Sequence, residues 1–372
     1  MNPRLIKNPR LIKNQRLILA ALMLAIVALL RAVPAAAEPY LAVLEGYKCN
    51  VCHVNPTGGG LRNDFGVTYA KVLLPAETLD NALDSWTGKL TDRLRVGGDL
   101  RADWTRVTAP HTSSQQAFAL EQFRVYGDLT LIPDRLGIYV DEQIAPNGSQ
   151  NEEAYVRYGS TTDGFYVKGG QFYLPFGWRL QDQTAFVRQV TGINMTAPDK
   201  GVEVGYEHAA WSAQFDVTNG AANANTGSGY QVTTQVVYTK PIWRVGIAGS
   251  STQSSAGDRR MGGLFAGLKT GPIAWLAEGD IVHDDGLGRT LAAGLLEGDW
   301  RLLKGHNLKL TAEYSDPDRS LRNNQQTRYS VVYEYTPLPF LQLRAGYRHN
   351  FGIPQNDQQH QQLVLFELHG YF

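Results

Sequence analysis

The sequence predicts an all-β fold: a closed antiparallel barrel of about sixteen strands (residues 93–372), preceded by a small α-rich domain (38–92) and a removable leader (1–37). Three observations predict it. From Arg93 onward apolar and polar residues alternate with period two, segment after segment. The connections between these segments are alternately short and long. The chain ends on an alternating strand whose final residue is Phe372.

Residues 1–16 are basic, with "NPRLIK" twice in tandem, and Leu17–Leu30 is an apolar run followed by "AVPAAAEP". That order is that of a secretory signal peptide, with Ala35 and Ala37 placed for cleavage before Glu38. The run is shorter than the roughly 20 residues that span a bilayer, and Arg31 ends it. Removing the leader takes away six Lys/Arg and leaves 29 bases against 35 acids. That balance offers no basic field for nucleic acid. Export places the mature chain outside the cytosol, and two cysteines could make only one bridge.

Residues 38–92 carry helical patterns at Val67–Leu74 and Leu79–Leu90. About 55 residues are marginal for a self-supporting core, so a further element should help to hold this segment together.

The barrel strands are expected at 93–107, 117–131, 136–144, 152–159, 165–174, 200–208, 211–218, 230–239, 243–250, 260–269, 273–283, 290–301, 307–315, 327–336, 341–349 and 361–372. In the first, Leu94, Val96, Leu100 and Trp104 lie on one face and Arg95, Asp99, Arg101 and Asp103 on the other. Short turns such as "PDR" (133–135), "KPI" (240–242) and "TGP" (270–272) alternate with longer polar loops, the pattern of an outer-membrane barrel in contact with lipid. Trp104, Tyr158, Trp211, Tyr230, Tyr238, Trp243, Trp275 and Trp300 sit near strand ends, as interfacial girdles require. Sixteen strands leave an aqueous lumen. Its wall is expected to include Arg124, Asp128, Asp141, Arg157, Glu203, Asp216, Glu278 and Asp280, of both signs. The longest extracellular connection, about 175–199, is expected to fold inward by analogy with porins.

Cys49-Asn50-Val51-Cys52-His53 is C-x-x-C-H, the attachment pattern of a c-type haem. Cys49 and Cys52 would take the vinyl groups and His53 the proximal side of the iron. A thioredoxin-like use lacks its βαβ setting, and structural zinc needs four ligands where this segment offers three. Pro56 and Gly58–Gly60 make a turn where backbone could approach a flat ligand. Segment 38–92 contains no methionine and no second histidine. A distal ligand would therefore come from Lys48, Lys71 or the barrel, where Met195 in the inward loop is the first candidate, or the site is open.

A signal peptide, "CNVCHVNP…LRNDFG" (Cys49–Gly66) and a sixteen-stranded barrel together resemble the fused monohaem cytochrome–porins, which include outer-membrane iron oxidases. The resemblance implies one covalent haem c and one-electron exchange between extracellular iron, or another redox partner, and periplasmic cytochromes or other carriers. It also implies an outer-membrane location, with the cytochrome domain periplasmic or in the lumen. The "PTGGG" insert and the short barrel depart from the iron-oxidase pattern, which leaves the substrate, and assignment as an iron-oxidase-type oxidoreductase, open. Two other uses of the same architecture are a transport porin plugged or gated by its haem domain, and a scaffold barrel around a partner cytochrome. A hydrocarbon core of about 30 Å is too thick for one efficient tunnelling hop from a wholly periplasmic haem. The domain is therefore expected to plug the lumen, or a donor or partner to bridge the gap.

Overall fold

A computed structural model describes residues 38–372 apart from 80, 82–84, 196, 221–228 and 256. The leader assigned to 1–37 lies outside the described residues.

Alternation along the chain becomes sixteen antiparallel strands, β1 (Leu94–Thr108) to β16 (Gln361–Tyr371), each bonded to its neighbours in chain order. β1 also pairs with β16, from Asp99↔Tyr371 to Thr108↔Gln362, so the barrel closes with no free edge. Closure satisfies every strand's backbone groups laterally, which a bilayer interior demands. Strand β9 (Trp243–Ser254) shows the pattern: Trp243, Val245 and Ile247 face outward while Arg244, Ala248 and Ser250 are buried inside. Trp211, Tyr238 and Trp243 pack in sequence at the short-turn end with their rings tilted, centroids 4.6 and 5.6 Å apart. An apolar outer belt with an aromatic rim and a polar interior is the build of an outer-membrane barrel.

The lumen is filled from two directions. From the long-loop end, the connection between β5 (Gly164–Phe172) and β6 (Asp199–His208) folds inward as expected. Its Phe176, Trp178, Leu180, Val187, Val190 and Ile193 are all buried. A short helix in it, Phe186–Thr191, packs on the inner wall of β11 (Ile273–Asp284), β12 (Arg289–Leu303) and β13 (His306–Asp316). Arg188 of that helix pairs with Glu278, and Trp178 donates its backbone N–H to the same carboxylate at 2.9 Å.

From the short-turn end enter residues 38–79, which pack with the barrel as one compact unit. This plug begins with helix α1 (Pro39–Glu45), opened by proline and closed by Gly46 at φ 69°. Neither the pairing of Pro at the helix start with Gly past its end nor this helix was part of the sequence expectation. The pattern at Val67–Leu74 folds as helix α2 (Asp64–Thr68) running into a π-helical turn, Tyr69–Leu73. The pattern at Leu79–Leu90 does not become a helix at its described residues. There Gly88 takes φ 77°, Lys89 bridges to Arg95 and Trp86 packs on Phe372, so this stretch is used to lead into β1 instead.

The plug touches the short turns and the inner wall. Lys48 Nζ meets Glu207 at 2.5 Å and donates to Trp211 O, Asn50 donates to Thr161 O, and the backbone N–H of Ala76 donates to Thr336 O. Deeper, Glu38 pairs with Lys309 and lies 3.6 Å from Arg344, and Tyr40 donates to Glu334. Leu61 N–H donates to the fully buried Tyr139 hydroxyl, and Asn55 donates to both oxygens of Glu153. Plug and inward loop meet where Arg179 donates to Thr57 Oγ1 at 2.8 Å and to Glu153 at 3.3 Å.

Candidate functional site

The C-x-x-C-H segment is a tight turn held from behind. Cys49–Val51 form a 3-10 turn, and the N–H groups of Cys52 and His53 both donate to Cys49 O. Residues three apart eclipse in such a turn, which brings both thiols to one side. His53 and Arg62 form an antiparallel bridge, reinforced by Val54 N–H donating to Leu61 O. Asn63 ties the two halves: its amide donates to Asn50 O and Val51 O at 3.0 Å, while its oxygen caps α2 by accepting from Gly66 N–H. A Cβ on Gly66 would sit 2.1 Å from Cys52 O, so only glycine permits this approach of helix to motif.

The loop between the halves carries Gly58, Gly59 and Gly60, all at positive φ (89, 73 and 61°). A Cβ on Gly60 would lie 2.2 Å from the Tyr139 hydroxyl. The glycine run is therefore the place where the plug presses on the barrel wall as well as bending round the motif.

Cys49, Cys52 and His53 all line one cavity of about 1080 Å³, its open mouth included, between plug and barrel. The plug supplies Leu41, Ala42, Tyr69 and Ala70, and the facing wall supplies Val237, Arg244 and Phe265. Trp178 and Arg179 reach it from the inward loop. The lining is predominantly apolar.

His53 is 5 % exposed and neither ring nitrogen closes a hydrogen bond of normal geometry, although the backbone of Gly59 and Gly60 lies beside the ring. Burial, with the charges of Arg62 and Arg179 nearby, pushes the imidazole down to about 3. The ring is therefore neutral at neutral pH, the form that binds a metal. Burial pushes the Cys52 thiol up to about 11, although Arg62 opposes it. Both cysteines are free thiols. Among the described residues no three His, Cys, Asp or Glu side chains converge as ligands of one ion. A zinc centre would need such convergence; Cys49, Cys52 and His53, all on the lining of one cavity, are the residues that would hold a haem if one were bound.

Met195 does not line this cavity. It lines a smaller recess behind Thr57, with Tyr173 and Arg188, and a Cβ on Gly59 would come 3.3 Å from its Cε. Lys48 lines the large cavity but is held by Glu207, and Lys71 is buried elsewhere in the plug. Of the expected wall residues, Asp99, Arg101, Arg124, Asp128, Asp141, Glu203, Asp216, Glu278 and Asp280 are buried inside. Arg95 turns to the plug, pairing with Asp64 at 2.5 Å, and Arg157 pairs with Asp128 at 2.9 Å. The sequence alone does not single out Asn63, which acts through contacts inside the plug, or Tyr139, Gln214 and Gln235, which matter through their place in the closed barrel.

No family model matches the chain, and no curated protein matches it. Solved structures do. A loop-deletion form of OmpT, an outer-membrane protein of Vibrio cholerae, aligns with a TM-score of 0.59 at 9% identity, over 76% of this chain and 100% of its own. The anion-selective porin of Comamonas acidovorans gives 0.58 at 12% identity, over 75% and 99%. OmpF of Salmonella typhi, solved with daunomycin, gives 0.59 at 11% identity, over 75% and 97%. The likeness is one of fold: the chain has the closed antiparallel barrel of outer-membrane porins.

Proposed function

We propose that this chain is an outer-membrane barrel of porin build whose lumen is closed by a plug carrying one covalently attached haem c, and that it passes single electrons across the membrane. The observation that carries the reading is His53: a buried imidazole whose ring nitrogens close no hydrogen bond of normal geometry, on the same apolar cavity as two free thiols three residues apart. A buried polar group left without a partner costs free energy, and an iron in the cavity would remove that cost.

In this reading Cys49 and Cys52 hold the group by thioether bonds and His53 binds its iron. The bound group supplies one-electron redox chemistry. Asn63 fixes the turn that orients all three, and Tyr69, Trp178 and Phe265 limit water around the site. Placing the plug inside the barrel shortens the span to be crossed, compared with a domain in the periplasm, so a donor at the loop end and a periplasmic cytochrome at the other have less than the full core of about 30 Å between them. Extracellular iron is the donor or acceptor that the resemblance suggests.

Mass spectrometry of the purified chain tests attachment: the peptide containing Cys49 and Cys52 should carry one haem, and Cys52→Ser should abolish the doubly anchored form. Proteoliposomes enclosing a reducible dye then test transfer. Reductant added outside should bleach the dye only when haem is attached, while ion conductance stays low. A haem-free chain, or bleaching that simply tracks conductance, defeats the proposal.

A second reading, a transport porin gated by its plug, is favoured by the porin likeness and by the polar nature of the plug contacts. It expects large conductance steps as the plug moves. A sheath for a separate cytochrome would need the lumen that the plug and inward loop already occupy.

A further inference from the structure

The large cavity contains His53 as its one histidine among the described lining residues, and no methionine. The remaining histidines are engaged or distant. His369 is held by Asp99 and Gln342, His208 by Asp163, His283 by Thr290 and His306 by Tyr333. Met261 has its sulfur 3.3 Å from Arg259 Nη1. Among the described lining residues, the polar side-chain atoms that close no hydrogen bond are the His53 nitrogens, Arg179 Nε and Gln235 Oε1, and Arg179 and Gln235 also line the smaller recess. Gln235, on β8 (Gly229–Thr239), is 7 % exposed and its side-chain oxygen makes no hydrogen bond, whereas the neighbouring Gln214 donates to Glu207. A buried acceptor of this kind calls for a donor.

Resting on the haem reading above, we propose that the cavity is also a ligand-binding site. His53 would be the only protein side chain to bind the iron of a haem held by Cys49 and Cys52, and the cavity would admit water or a small heterocycle whose O–H or N–H donates to Gln235 Oε1. Imidazole-type ligands are the favoured class, because they combine an iron-binding nitrogen with a second nitrogen that donates. Gln235 is a positioning residue for the ligand and does not touch the iron.

The test uses the full haem-loaded chain in detergent. Its ferric electron-paramagnetic-resonance spectrum should be high-spin, and imidazole should convert it to low-spin. Gln235→Leu should weaken imidazole about three- to tenfold, the worth of one lost hydrogen bond. The same variant should leave 1-methylimidazole unchanged, since that probe has no N–H to donate. A low-spin spectrum without added ligand overturns the open position, and loss of that spectrum in Met195→Leu would identify Met195 as the ligand. Equal weakening of both probes overturns the role of Gln235. A chain without thioether-linked haem by mass spectrometry refutes the parent reading instead, so the two failures are told apart.

Discussion

Removing the charge of Lys309 should open the plug. Lys309 is the cation at which Glu38 of the plug meets the wall carboxylates Glu297, Asp299 and Glu334, at distances of 3.9 Å or less, and its side chain is 10 % exposed. Lys309→Met leaves Glu38 among three buried acids, with Arg344 as the nearest remaining base at 3.6 Å. Breaking one side of a buried ion pair costs about 3–5 kcal/mol. Here that cost falls on the docked state, because Glu38 regains water when the plug withdraws while the barrel hydrogen bonds stay intact. The docking equilibrium should shift by roughly 10² to 10³-fold or more. Planar-bilayer recording should show long-lived open events that the parent lacks, with the barrel itself still folded by its gel mobility before heating. Adding Glu38→Gln to Lys309→Met should restore much of the closed time, because the two residues are coupled. An unchanged current record, or effects of the two substitutions that simply add, would refute the idea that this cluster latches the plug.

Other outcomes follow from the same contacts. Gly60→Ala should loosen the plug, since its Cβ would meet the Tyr139 hydroxyl at 2.2 Å and the residue sits at φ 61°; Tyr139→Phe in the same chain should recover part of the loss, read as protection of the plug from protease. Arg179→Met should uncouple plug from inward loop by removing the links to Thr57 and Glu153, raising current noise without full opening. Burial alone would raise the Asp182 carboxyl, but Arg348 and Thr184 hold it down, to about 2. A lowered folded value means that this contribution to loop docking is present above the unfolded range near 3.8 and is lost as pH falls from about 4 towards 2. Asp182→Asn should remove that step from conductance measured against pH. Asn63→Ala should lower the yield of haem-bearing protein, measured by mass, because it frees the turn from α2 and leaves Asn50 O and Val51 O without their donor.

The sixteen strands were legible because one face of each meets lipid and the other a polar lumen, which imposes a period of two, although Gly and Ala blur it at 260–269 and 290–301. The inward loop was legible from its length and by analogy. Helix α1 was missed although Pro39 and Gly46 bracket it, since seven residues give little periodicity. The pattern at 79–90 misled because apolar spacing says nothing of Gly88 turning left-handed to bring the chain to β1. C-x-x-C-H was conspicuous as a motif. Where the plug sits was beyond reach, because it is fixed by pairs such as Glu38–Lys309 and Asn55–Glu153, between residues far apart in the chain whose neighbourhood exists only once the barrel is closed.

The seam between β1 and β16 has a consequence for timing. Arg62 of the plug lies over the ring of Tyr371, 5.2 Å from its centroid, and Gly98 and Phe372 exchange backbone hydrogen bonds at the seam. The plug thus docks against the pair of strands whose joining closes the barrel. The seat of the plug is finished only when the final strand is stitched to the first. A plug that folded before the seam was joined would find only part of its contacts, so docking of the plug and closure of the barrel are coupled events rather than independent ones.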